Sequence, residues 1–218
     1  MGKKIQYFSV NAICNKLKEP KCRALPPFHA FTGSDTTSQF LGKGKKSAWE
    51  AWNSFPGVSE AFVSISQHPF EPLEIASPDF QLLERFTCVL YDKTSPVERV
   101  NELREELFSK AKHTMEKIPP TQAALLQHSN RALYQASIWT TSLKSEQRAP
   151  LPEGYGWTKV ASDWKPVWSL IPEAASVCRE LLKCGCQTHP QCSRNCKCRK
   201  AGLSCTALCK CGGSCQDL

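Results

Sequence analysis

Nine cysteines crowd the stretch from Cys184 to Cys215, spaced C-x-C-x5-C-x3-C-x-C-x6-C-x3-C-x-C-x3-C. Between them lie few apolar residues, chiefly Leu203, Ala207 and Leu208. A segment with so little to bury cannot offset the entropy of its own folding. Disulfides or metal ions must hold it. Disulfides need an oxidising compartment and consume cysteines in pairs. Nine is odd, and Met1–Tyr7 shows no apolar stretch followed by small residues, so no secretory signal is expected. Clustered thiols in a reducing compartment point to metal.

The ligand count sharpens this. A tetrahedral zinc ion takes four ligands, so separate four-thiolate sites leave one sulfur over. About three zinc ions need twelve bonds, which six terminal and three bridging thiolates supply. The expected ligands are Cys184, Cys186, Cys192, Cys196, Cys198, Cys205, Cys209, Cys211 and Cys215. The count closes without His189. Zinc binding should then supply the folding energy of this module, which is expected to have little regular secondary structure.

The alternation of Cys-x-Cys pairs with single cysteines resembles the tesmin-type CXC domain. The resemblance covers residues 184–215 and implies three zinc ions held by nine cysteines, with DNA as a partner and the nucleus as the site of action. Members of that family carry an aromatic residue before the fourth cysteine; here Asn195 precedes Cys196.

Charge follows the same division. Residues 1–52 carry nine basic and three acidic groups, residues 53–177 twelve and fifteen, and residues 178–218 seven and two. Lys183, Arg194, Lys197, Arg199, Lys200 and Lys210 surround the cysteines. They read either as phosphate contacts or as compensation for a cluster in which thiolate charge exceeds that of the metal. Arg199 and Lys200 lie in the six-residue gap before Cys205, the longest between ligands, and are expected to reach furthest from the sulfurs.

A second basic motif lies near the start. Gly42-Lys43-Gly44-Lys45-Lys46 opens a helical stretch, where backbone N–H groups and ammonium groups can meet a phosphate; the alternative is a solvated basic turn. The spacing is not that of a P-loop. The expected nucleic-acid contacts are thus Arg194, Arg199 and Lys200, with Lys43, Lys45 and Lys46. With Gly33-Ser34-Asp35 upstream, this stretch resembles the flap-endonuclease group of the PIN-like fold, and the C-terminal part of transposon-associated animal proteins that end in a cysteine block. Asp35 would then stand where a metal-binding aspartate stands. Two-metal hydrolysis needs several converging carboxylates, and Glu19 is the only acid before Asp35. Asp35 is therefore expected to be a turn or cap residue, and the chain is not expected to be an enzyme.

The rest reads as mainly α, a small helical region in the manner of a PIN-like remnant. Lys4–Val10 has a short strand-like alternation, and Asn11–Leu17 a helical one. Pro26-Pro27 should end that helix. Ser47–Phe55 and Val58–Ile65 read as short helices. Ser77-Pro78-Asp79 and Ser95-Pro96-Val97-Glu98 are helix starts. The second opens an apolar stripe through Val100, Leu103, Leu107, Ala111 and Met115, ended by Pro119-Pro120. A further helix from Thr121 to about Trp139 should pair with it antiparallel. Residues 148–172, rich in Pro, Gly and Trp, read as an extended connector lying on the same chain or on a partner protein. Pro172–Lys183 reads as a last short helix. The expected organisation is a nuclease-like segment (1–76), a helical region (77–147), the connector (148–177) and the zinc module (178–218). No apolar run is long enough to cross a membrane.

The expected function is a zinc-binding protein that contacts DNA. The other readings are a protein-interaction module with a structural zinc cluster, acting in the nucleus or the cytoplasm, and a metal-dependent nuclease fragment.

Overall fold

In a computed structural model, residues 7–109 and 118–169 are described, together with 184–186, 196, 198, 205 and 209–211. The chain forms two compact units, Met1–Leu170 and Ile171–Leu218. The described residues of the first unit form seven helices and one β-hairpin. None of these helices is long and apolar enough to cross a membrane.

Tyr7–Ser9 form no strand. The Ser9 hydroxyl instead accepts from Ala12 N and caps helix α1, Val10–Leu17. Helix α2, Glu19–Phe31, runs straight through Pro26 and Pro27, against expectation. The reason lies in a residue distant in sequence. A proline at 27 cannot donate to the carbonyl of Arg23, and the Ser66 hydroxyl donates to that oxygen instead, at 2.8 Å. The helix continues because its far end carries Phe28 and Phe31 into the core.

That core is aromatic. Helices α3 (Lys45–Ser54), α4 (Val58–Gln67) and α5 (Pro78–Tyr91) close around α2. Phe62 of α4 sits at its centre, fully buried. Its ring meets those of Phe28, Phe31, Trp52 and Phe86 at centroid separations of 5.5–6.0 Å, within the range of favourable edge contacts. Helix α5 starts as its sequence predicts, with the Ser77 hydroxyl accepting from Phe80 N and Pro78 in the first turn.

Helix α6, Val100–Ser109, begins later than the Ser95 signal implies. Arg85 donates to the carbonyls of Ser95 and Val97, which holds that stretch as a loop. The helix is capped by a residue remote in sequence: buried Glu84 accepts from Val100 N at 3.0 Å, and the Gln122 amide donates to both Glu84 oxygens. Ala111 and Met115 lie outside the described residues, as does the Pro172–Lys183 helix.

Helix α7, Gln122–Thr140, starts on its Thr121 cap. Its main contacts are with α2, α4 and α5 rather than an antiparallel pairing with α6. Its buried face explains why: it is polar as much as apolar. Asn130 clasps the backbone of Leu73, accepting from its N–H at 2.8 Å and donating to its carbonyl at 3.1 Å. Ser137 accepts from Phe70 N. His128 bridges the Ser38 hydroxyl and the Phe31 carbonyl, each at 2.8 Å. Among the described residues no buried side-chain nitrogen or oxygen lacks a partner.

The Trp-rich stretch is folded rather than extended. Strands β1 (Trp157–Val160) and β2 (Asp163–Pro166) form an antiparallel hairpin. Arg131 of α7 anchors it, donating to the carbonyls of Gly156 and Val167. Gly156 has φ +75°, and an added Cβ would lie 2.4 Å from the Gln127 carbonyl. Only glycine allows so close an approach to α7.

Candidate metal centre

The second unit gathers sulfur. Six cysteines from four separate parts of the sequence form two groups, within each of which all Sγ atoms lie within 4.8 Å of one another. One group is Cys184, Cys196, Cys198 and Cys205; the other is Cys184, Cys205, Cys209 and Cys211. Backbone contacts hold the distant segments together. Lys210 N donates to the Cys184 carbonyl at 3.1 Å, and Cys184 N donates to Cys209 Sγ at 3.4 Å.

Sulfur separations show what the groups fit. Cys184–Cys205, Cys184–Cys211, Cys196–Cys205 and Cys198–Cys209 stand 3.6–3.8 Å apart. A disulfide would need about 2.05 Å. A tetrahedron with metal–sulfur bonds of about 2.3 Å has an edge of about 3.8 Å. Within each group two of these separations match that edge and the remaining sulfurs lie within 4.8 Å of one another, close enough to gather around one metal ion. Cys184 and Cys205 belong to both groups, so two ions filling them would share thiolates.

Burial fits the same chemistry. Cys184, Cys196, Cys198, Cys209 and Cys211 are buried and Cys205 is half-buried. Burial first, and the neighbouring Cys209 second, push the Cys198 thiol up to about 11. Crowded, desolvated thiols ionise when a cation stands against them, and a coordinating divalent ion deprotonates them outright. Clustered C-terminal cysteines of this chain could thus bind metal.

Of the nine expected ligands, Cys186 is half-buried beside the cluster but in neither group. Cys192 and Cys215 lie outside the described residues, as do Arg194, Arg199 and Lys200. The sharing of Cys184 and Cys205 was not readable from spacing, because 20 intervening residues separate them in sequence.

The basic turn is described in full. Gly44 is the residue before α3. The Lys45 ammonium turns inward and donates to the His29 carbonyl, the Thr32 hydroxyl and the Gly33 carbonyl, each at 2.6 Å. It completes the C-terminal end of α2. Burial lowers its pKa to about 8. Lys43 lies over the Tyr91 ring, 4.9 Å from its centroid, and partial burial, then the charge of Lys93, lowers its pKa. Lys46 is exposed. Asp35 lies in the bend after α2, but the bonds that shape the bend come from its neighbours. Thr37 donates to the Ala30 carbonyl at 2.7 Å, and its hydroxyl accepts from Ser34 N. Among the described residues Asp35 belongs to no group of metal-binding side chains.

No protein-family model, curated protein or solved structure matches this chain.

Proposed function

We propose that residues 184–215 hold about three zinc ions in one cluster with bridging thiolates, in the manner of the tesmin-type CXC domain, and that the protein binds DNA in the nucleus. The observation that carries the metal assignment is the sharing of Cys184 and Cys205 between two groups of four closely gathered sulfurs. All-sulfur tetrahedral sites select zinc, or iron in iron–sulfur clusters. The odd ligand number is accounted for by shared thiolates without any added sulfide.

DNA contact is assigned to Arg194, Arg199 and Lys200 around the cluster, with Lys43 and Lys46 on the first unit. Lys45 already has three acceptors for its three N–H groups and is read as structural. The support is the basic excess of residues 178–218, seven groups against two.

Metal analysis of the purified chain tests the first part. About three zinc ions per chain are expected; a ratio of one or two overturns the three-ion cluster, and iron with labile sulfide overturns the zinc assignment. A salt titration of duplex DNA binding tests the second. Affinity should fall with salt, and Arg199→Ala with Lys200→Ala should shrink the slope by up to about two, since each phosphate contact contributes roughly 0.9. Unchanged binding with unchanged zinc content would make the basic groups charge compensation only.

A further inference from the structure

The hairpin and α7 flank an open cleft of about 420 Å³ that neither the cysteine cluster nor the basic turn uses. In the hairpin register, Trp157 faces Pro166 and Lys159 faces Trp164. Residues 157, 159, 164 and 166 therefore share one face. Both tryptophans of that face line the cavity, and Tyr134 of α7 adds a third aromatic wall. Two of these walls are fixed in advance. Trp157 packs on the core. The Tyr134 hydroxyl donates to the Pro150 carbonyl at 2.8 Å, and its ring lies against Phe70 and Tyr155.

Two polar groups at the cavity have hydrogen-bonding capacity left. Asp35 is exposed and makes no hydrogen bond or ion pair among the described residues. Its carboxylate only accepts. Gln135 accepts the Thr36 hydroxyl on its carbonyl oxygen at 2.6 Å, so its amide nitrogen remains a donor. Arg131 also lines the cavity, but its Nη1 is committed to the carbonyls of Gly156 and Val167, and its guanidinium lies 5.5 Å from the Trp168 ring centroid.

These features select among ligands. A cation would meet the aromatic faces and Asp35, but also Arg131 and the exposed Lys159 beside Trp164. An aliphatic ligand would leave Asp35 and Gln135 unanswered. A flat, neutral ring with both donors and acceptors on its edge, trailing an anion, uses every feature: the rings stack on it, the edge meets Asp35 and Gln135, and Lys159 meets the anion. Guanine is the base whose edge sets two neighbouring N–H donors, for a carboxylate, beside one carbonyl acceptor, for an amide N–H. Base–aromatic stacking is the usual means by which single strands are held. We propose that this cavity binds an unpaired guanine of a single-stranded nucleic acid, with Trp157, Trp164 and Tyr134 as the stacking surface and Asp35 and Gln135 as the base-reading groups. The site belongs to the first unit and does not depend on the zinc reading.

The test uses the full chain and tryptophan fluorescence. It is titrated with a short oligothymidylate carrying one central guanine, with the same oligomer lacking it, with the ribose counterparts of both, and with guanosine monophosphate. The guanine oligomer should bind at least about tenfold more tightly than its all-pyrimidine control, the discrimination of one good bidentate contact to a base edge. Whichever sugar shows the larger preference identifies the strand as DNA or RNA. Trp164→Ala should remove most of that gain. Asp35→Asn, at an exposed position and nearly unchanged in shape, should abolish the guanine preference while leaving general binding in place. The Arg199→Ala, Lys200→Ala variant should retain the preference, which separates this site from the cysteine region. Equal affinity for both oligomers overturns the proposal, as does a preference untouched by Asp35→Asn. Guanosine monophosphate binding as tightly as the oligomer would overturn the strand reading in favour of a free-nucleotide site.

Discussion

The two units solve the same problem with different elements. Residues 1–170 bury carbon: Phe28, Phe31, Trp52, Phe62 and Phe86 form one continuous aromatic cluster, and the helices are arranged to close over it. In residues 171–218 the described buried cluster consists of cysteines alone. A hydrophobic core releases its energy as surface leaves water. A thiol cluster has no such source, and on the metal reading proposed above an ion supplies it. The first unit should therefore be stable in any metal-free buffer, and the second should not.

Chelation is the most severe way to break this contrast. Removing metal should unfold the second unit outright, since structural zinc contributes apparent free energies on the order of 10 kcal/mol or more in zinc-finger peptides. The C-terminal thiols should then react rapidly with a thiol reagent, and limited proteolysis should trim the chain back towards residue 170. The cooperative thermal transition followed by tryptophan fluorescence should move little. A transition that collapses with the chelator would show that the aromatic unit leans on the metal.

The converse break is at Phe62. Its ring is fully buried against four others, and Phe62→Ala should cost about 3–5 kcal/mol. Denaturant midpoints measure this. Zinc content per folded chain should not change. A variant that loses zinc in step with stability would mean that the two units are one thermodynamic body.

Much of the fold was legible because it depends on near neighbours. Ser77 caps α5 as its position implies, and α7 starts at the Thr121 boundary. Several misses share one cause: a distant residue overrides a local signal. Pro26-Pro27 fail to end α2: Ser66 takes the Arg23 carbonyl that Pro27 orphans, and Phe28 and Phe31 are held in the core. Ser95 fails to start α6 because Arg85 and Glu84 set the start at Val100. Lys45 reads as a surface cation but is drawn inward by three oxygens that only the folded turn brings together. The hairpin at 157–166 was hidden because its prolines and glycines read as a connector, whereas its anchor is Arg131. At the metal site, spacing showed that the cysteines belong together, but not which of them two ions would share.

A third effect distinguishes the units by pH. His128 is buried in the first unit, and burial, opposed by its bond to the Phe31 carbonyl, lowers its pKa from 6.5 to about 4. Between those values the unfolded chain binds a proton that the folded chain does not. Stability therefore rises with pH through this window and is lost as pH falls from about 6.5 towards 4. By pH 4 the loss reaches roughly 3 kcal/mol, at about 1.4 kcal/mol per pH unit. Denaturant melts at pH 7, 6 and 5 should show the decline, and His128→Gln should flatten it at a lower overall stability. A slope unchanged by the substitution would assign the acid sensitivity to other groups.

The smallest effect addresses how α2 survives its prolines. Pro27 leaves the Arg23 carbonyl without its helical donor, and the Ser66 hydroxyl stands 2.8 Å from it. The contact is at an exposed position, so water can replace the hydroxyl when it is removed. Ser66→Ala should accordingly cost only about 1 kcal/mol, the net value of one hydrogen bond. Amide exchange in the second half of α2 should quicken, and metal content should stay the same. Pro27→Ala supplies the matching control. It restores the backbone donor, so in that background the loss from Ser66→Ala should shrink towards zero. If Ser66→Ala costs the same with and without Pro27, the hydroxyl is not what carries the helix past its prolines, and the burial of Phe28 and Phe31 alone must hold the chain in register.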